Sequence, residues 1–129
     1  MAKVEADTAV EVNCAFDVGM SLVTIANKPQ ACFGDGYVEL TVKNTGRTEI
    51  TSLTMVVGGV SGVYNNPKVE SSSIVVAGAK QIRENFDANQ YGQVRYIRLV
   101  PLIDLEGRET ICAGSALTIG GQELAACES

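Results

Sequence analysis

The chain contains no histidine and no tryptophan, and only 5% of its 129 residues are aromatic. Without histidine it lacks the commonest general base, the usual partner of a serine or cysteine nucleophile, and the commonest zinc ligand. Without tryptophan it lacks the broad stacking platforms of carbohydrate-binding and single-strand-binding proteins. Positive charge is also scarce: 10 Lys and Arg face 15 Asp and Glu, for a net charge of −5. Nothing is left over to neutralise phosphates, so no nucleic-acid partner and no acidic membrane partner is expected. Long apolar runs are missing as well. The stretches at residues 50–60 and 97–105 are broken by Thr, Gly, Arg, Pro and Asp, short of the roughly 18–20 apolar residues a membrane helix needs. No Asn-x-Ser/Thr sequon occurs.

What is present suffices for a core. With 46% hydrophobic and 19% charged residues, a chain of this length is expected to form one domain and to hide about two thirds of its unfolded surface. Residues 1–7 read as a flexible lead and residues 120–129 as a C-terminal tail. The first seven residues lack the apolar core of a secretory signal. Two readings are open at this point: a soluble cytosolic protein, or an ectodomain separated from its targeting segment.

Strand patterns dominate. Tyr37-Val38-Glu39-Leu40-Thr41-Val42-Lys43 alternates Val, Leu, Val with Glu, Thr, Lys, the signature of a half-buried antiparallel strand. It leads into the turn cluster Asn44-Thr45-Gly46-Arg47-Thr48-Glu49, where Gly46 can take a positive φ, and then a β-rich run at residues 50–57. Together they predict a hairpin. Further strands are expected at residues 8–16, 20–26, 72–76, 81–86, 94–102 and 110–119. The turn signals between them include Lys28-Pro29, Gly34-Asp35-Gly36 and Asp87-Ala88-Asn89. Residues 77–85 are the one weak helical candidate, and residues 58–73 the longest loop. The pattern predicts an all-β fold, an antiparallel immunoglobulin-like β-sandwich of about seven or eight strands.

Chemistry is harder to find. No Ser-x-x-Lys occurs, and Val57-Gly58-Gly59-Val60-Ser61-Gly62 lacks the spacing of a nucleophile elbow, so no enzyme and no catalytic residue is expected. Asp87, Asn89 and Asp35 read as turn residues ahead of calcium ligands, although ligands gathered from separate loops cannot be seen in a sequence. No cofactor and no metal is expected. Tyr64, Phe86, Tyr91 and Tyr96 are assigned to packing. Arg95, Arg98 and Arg108, close to Glu106 and Glu109, form a balanced, solvated face. The four cysteines, Cys14, Cys32, Cys112 and Cys127, show neither the Cys-x2-4-Cys spacing of a zinc site nor a redox Cys-x-x-Cys. Two disulfides are favoured over four small buried thiols or a metal site, which places the chain outside the cell or on its surface. Pairing Cys127 with Cys112 would tie the tail to the last strand.

Val38-Glu39-Leu40-Thr41-Val42-Lys43-Asn44-Thr45-Gly46 with Ile50, preceded by Cys14 and Cys32, resembles the strand, Asn-Thr-Gly, strand signature of archaeal secreted sandwich domains. Downstream, Tyr96-Ile97-Arg98-Leu99-Val100-Pro101-Leu102-Ile103 leads through Gly107 to Cys112. The whole is similar to the ectodomains of archaeal type IV pilin-like and archaellum-related proteins, over roughly residues 10–119. In those proteins an N-terminal hydrophobic helix builds a filament core and the sandwich faces outward. The 129 residues here include no such helix. The resemblance implies a structural ectodomain with no catalytic residues, whose partners are proteins, namely further copies or other filament subunits. A secreted adhesion or recognition module, with an ion held in its loops, is the alternative. Durability in such a setting is expected to come from two local disulfides, Cys14–Cys32 and Cys112–Cys127, each closing a short loop.

Overall fold

The structure, a computed structural model, describes Cys14 and residues 17–127. The lead at residues 1–7 lies outside the described residues. So does the strand expected at 8–16, except for Cys14, whose backbone is helical. The rest is built of strands, as the alternation predicts. In one sheet, β5 (Tyr37–Asn44) is central. It pairs along one side with β8 (Ala79–Asn85), and along the other with β1 (Met20–Leu22) and then β4 (Ala31–Gly34). A two-residue strand, β12 (Ala125–Ala126), adds to the outer side of β4 in parallel, the one departure from antiparallel pairing among the described residues. In the other sheet, β6 (Ser52–Gly59) lies between β7 (Val63–Asn66) and the 12-residue β9 (Val94–Leu105). The far side of β9 carries β11 (Leu117–Gly120) and β10 (Arg108–Ile111) end to end.

The two sheets pack against each other through one core. Val38, Leu40, Val42 and Ile82 of the first sheet meet Leu53, Met55, Val57, Ile97, Leu99 and Ile119 of the second, all buried. Each such side chain contributes about 1.5–3 kcal/mol of burial. The alternation in β5 is therefore a register statement: Val38, Leu40 and Val42 face the core while Glu39, Thr41 and Lys43 face away.

β5 and β6 do not form the expected hairpin. They belong to different sheets, and residues 45–51 cross between them. The reason is Asn44, the next inward-facing position of β5, which is fully buried. Its amide donates to the Thr48 carbonyl at 2.9 Å and the Ile74 carbonyl at 3.0 Å, and its Oδ1 accepts from the Gly46 amide at 3.0 Å. These bonds hold the chain in a turn that leaves the sheet plane. Ile50 and Ile74 then bridge through paired backbone bonds, and this bridge is all that forms of the strand expected at 72–76. Gly46 keeps a negative φ; its lack of a side chain serves a close approach instead. A Cβ there would run into the Asp17 carbonyl oxygen and come within 2.7 Å of the Gly19 amide nitrogen, both backbone. Gly46→Ala is expected to cost about 1–3 kcal/mol in urea unfolding, as overpacking does. Gly114→Ala, where a Cβ would meet nothing within 4 Å, is expected to change stability by a few tenths of that.

Other departures have local causes. The weak helical candidate at 77–85 is strand β8. The loop at 58–73 contains β7, and the expected strand 110–119 is split into β10 and β11 by a 3-10 turn at Ala113–Ser115. Pro101 survives within doubly paired β9 because it lies opposite that split. Its carbonyl accepts from the Cys112 amide at 2.9 Å, so its missing N–H falls in the gap between β10 and β11. Residues 24–29 leave the sheet. Val23 and Gln30 both bond to the Thr41 backbone, and between them β2 (Thr24–Ile25) and β3 (Lys28–Pro29) form a projecting hairpin. Ala26 and Asn27 at its tip both have positive φ, as a two-residue primed turn requires.

Candidate functional site

All four cysteines are oxidised, but their pairing is not local. Cys14 bonds to Cys112 across a sequence separation of 98, and Cys32 to Cys127 across 95. The expected Cys14–Cys32 and Cys112–Cys127 pairs are therefore corrected. The physical reason is placement by the sheets. Cys14 is buried in a small cluster with Val18, Ile103 and Cys112, fastened further by Ser115 Oγ, which donates to the Cys14 carbonyl at 2.9 Å. Cys32 lies on β4, beside which the last residues of the chain run as β12. The Cys127 amide donates to the Phe33 carbonyl at 2.9 Å. Where a tail was expected, Gly120 is paired to β9 of the second sheet and residues 125–127 to β4 at the edge of the first.

The hairpin and this C-terminal strap wall a cleft of about 570 Å³ on the outer face of the first sheet. Glu39, Thr41 and Gln81 form its floor. Lys28 and Pro29 rise on one side, Glu123 and Ala125 on the other. Sulfurs of Cys32 and Cys127 and a Glu39 carboxylate oxygen lie within 4.8 Å of one another, the spacing of a metal-binding triplet. Both sulfurs are spent in a disulfide, so the cluster offers one carboxylate and no thiolate, and it does not form a metal site. Little in the amino-acid pattern announces the cleft. Its only signal is Ala26-Asn27, a weak turn pair, since Asn tolerates positive φ and Ala does not favour it.

A second cavity, of about 440 Å³, opens at one end of the molecule and brings together the two turns considered as calcium loops. Asp35 from one and Asp87 and Asn89 from the other line it, with Tyr64, Phe86 and Tyr91 behind them. Among the described residues these acids do not converge into a set of three ligands. Asp87 Oδ1 instead caps the one-turn helix Ala88–Tyr91, accepting from the Asn89 amide at 2.9 Å. The aromatic rings pack on each other. Phe86 and Tyr91 stack at 5.3 Å between centroids, and Tyr64 meets both edge-on at 6.4 and 5.9 Å. This is packing, as the sequence suggests, and not an open stacking platform. Tyr96 likewise lies over Gly58 on the neighbouring strand.

Between the aromatic cluster and the sheet edges, Asn66 on β7 donates to Glu84 on β8, joining the two sheets along one flank. Burial, and then the Glu84 carboxylate, raise the Tyr64 phenol above its ordinary 10.0. The fold prefers the neutral phenol. Its stabilisation is therefore complete below the unfolded value near 10 and is lost as pH rises through the raised folded value. In a phenolate absorbance titration, one of the four tyrosines is expected to titrate late, and Tyr64→Phe is expected to remove that component.

No protein-family model matches the chain, and neither does any curated protein. What the molecule does is read from its own surfaces. Among the described residues the sheet edges are β7 and β8 on the flank joined by Asn66 and Glu84, β1 and β12 on the far side of the first sheet, and β10 with β11 in the second. β8 turns Lys80 and Glu84 towards the same side as buried Ile82, a device that discourages indiscriminate strand addition. Lys68 and Glu109 pair at 3.0 Å, both well exposed, so the pair adds little to stability.

Proposed function

We propose that this chain is a structural, non-catalytic ectodomain of a pilin-like surface filament, or of that filament's envelope anchor, and that it acts outside the cell through protein–protein contacts. The observation that carries this reading is the pair of cystines, which fasten both ends of the described chain to a two-sheet body. Such bonds persist in oxidising compartments and are rare in the cytosol. Contacts between copies would use the free strand edges, where unpaired backbone groups accept a partner strand.

A recognition module is the second reading. The cleft between the hairpin and the strap, with exposed Ile25 on the hairpin, favours it. Gold-labelled antibodies against this chain, applied to intact cells of its source and viewed by electron microscopy, separate the two. Label along filaments is the result expected. Label scattered over the envelope supports the recognition module, and label found only inside sectioned cells overturns both.

A further inference from the structure

The order of the cysteines along the chain is Cys14, Cys32, Cys112, Cys127, and the bonds join first to third and second to fourth. This interleaving closes a covalent ring. From Cys14 the backbone runs about 18 residues to Cys32, crosses a cystine to Cys127, returns about 15 residues to Cys112, and crosses the second cystine to Cys14. Residues 33–111 hang from this ring as a side loop, and they include β5 to β10, most of the core.

We propose that the two cystines form parallel covalent routes that carry a force applied between the two ends of the described chain past the two-sheet body, so that β5 to β10 stay folded under that load. A force between the N-terminal side of Cys14 and the C-terminal side of Cys127 has two paths. One crosses Cys14–Cys112 and follows the backbone to Cys127; the other follows the backbone to Cys32 and crosses Cys32–Cys127. Neither path passes through β5, β6 or β9. At roughly 3.3–3.6 Å per extended residue, the first path limits extension to about 50 Å and the second, alone, to about 60 Å. With both bonds open, the roughly 113 residues between Cys14 and Cys127 extend to about 390 Å. Local pairing would have left residues 32–112 in the path, at about 280 Å. Interleaving thus makes the link redundant: either bond alone protects the body. This deepens the structural reading above and rests on it, but its test is mechanical and independent of where the protein is found.

The test is single-molecule stretching of the full chain between handles at its two ends. The oxidised protein is expected to release about one seventh of the length that the fully reduced protein releases. Cys14→Ser with Cys112→Ser, and separately Cys32→Ser with Cys127→Ser, are each expected to behave like the oxidised protein to within about 10 Å. A gain of hundreds of ångströms in either variant overturns the proposal. Should a variant not fold, the native chain is held at an unfolding force while dithiothreitol is admitted. Two parallel bonds require two cuts, so the waiting times before the long release are expected to show a lag. Single-exponential waiting times without a lag overturn the proposal equally.

Discussion

Opening either cystine is expected to destabilise the fold by about 3–5 kcal/mol, the most that a single bond delivers in a chain of this size. The loops closed, with separations of 98 and 95, are near the length at which chain-entropy arguments give about 4.7 kcal/mol. Total stabilities of about 5–15 kcal/mol leave little margin after such a loss. Cys32→Ala with Cys127→Ala is therefore expected to lower the melting temperature by roughly 10–20 °C. The effects should not add. Once one long loop is closed, the unfolded chain is already compact and the second bond removes less entropy. The loss on full reduction should then exceed the sum of the two single losses, leaving the fully reduced chain largely unfolded at 37 °C. Urea unfolding of the four redox and variant forms measures this directly. Single losses that add up to the fully reduced loss, as two separate short loops would give, would indicate local pairing.

Substitution of Asn44 is expected to have the next largest effect. Its side chain is fully buried and makes three hydrogen bonds, to the Thr48 and Ile74 carbonyls and from the Gly46 amide. Asn44→Ala strands those groups without water and should cost about 2–4 kcal/mol. Asn44→Asp is the sharper test. It is nearly isosteric, but it turns an acceptor towards two carbonyls that need a donor. At neutral pH it should be worse than alanine. The buried carboxyl prefers its protonated form, so its folded pKa lies above the unfolded value near 3.9. Its deficit should therefore shrink as pH falls towards 4 and grow again as pH rises through the folded value. Parallel denaturation at pH 4 and pH 7 reads this. An Asp variant as stable as wild type at pH 7 would show that Asn44 does not hold the crossing between the sheets.

These two sites also show how far the sequence can be read. The alternation of Val38, Leu40 and Val42 is legible because burial on one face of a strand imposes a period of two. The strand at 94–102 is legible for the related reason that β9 is covered on both sides over residues 99–103, with Val100 and Leu102 buried although they face away from the core. The partners of these strands are not legible. Tyr37–Asn44 and the run after it are separated by a turn cluster that suits a hairpin, and only the inward position of Asn44 diverts the chain into the other sheet. Residues 58–73 look like solvated loop because β7 is Val-Tyr-Asn-Asn, a short edge strand whose second residue alone packs on the core. The cysteines fail as a guide for a similar reason. Sequence proximity favours pairing that closes short loops, whereas the folded sheets bring Cys14 to Cys112 and Cys32 to Cys127 before distance along the chain matters. The cleft is the least legible feature, since its walls come from a hairpin and a strap nearly a hundred residues apart.

The account depends on that crossed pairing, and a peptide map under non-reducing conditions tests it most directly. Trypsin alone separates local from long-range pairing but not the two long-range connectivities from each other, because Cys14 and Cys32 share one peptide (the Lys28-Pro29 bond resists cleavage) and Cys112 and Cys127 share another. Cleavage after Glu and Asp separates all four, into residues 12–17, 18–35, 110–123 and 124–128. With the crossed bonds in place, mass spectrometry is expected to find 12–17 joined to 110–123, and 18–35 joined to 124–128. Residues 12–17 joined to 18–35, or four free thiols, would contradict it.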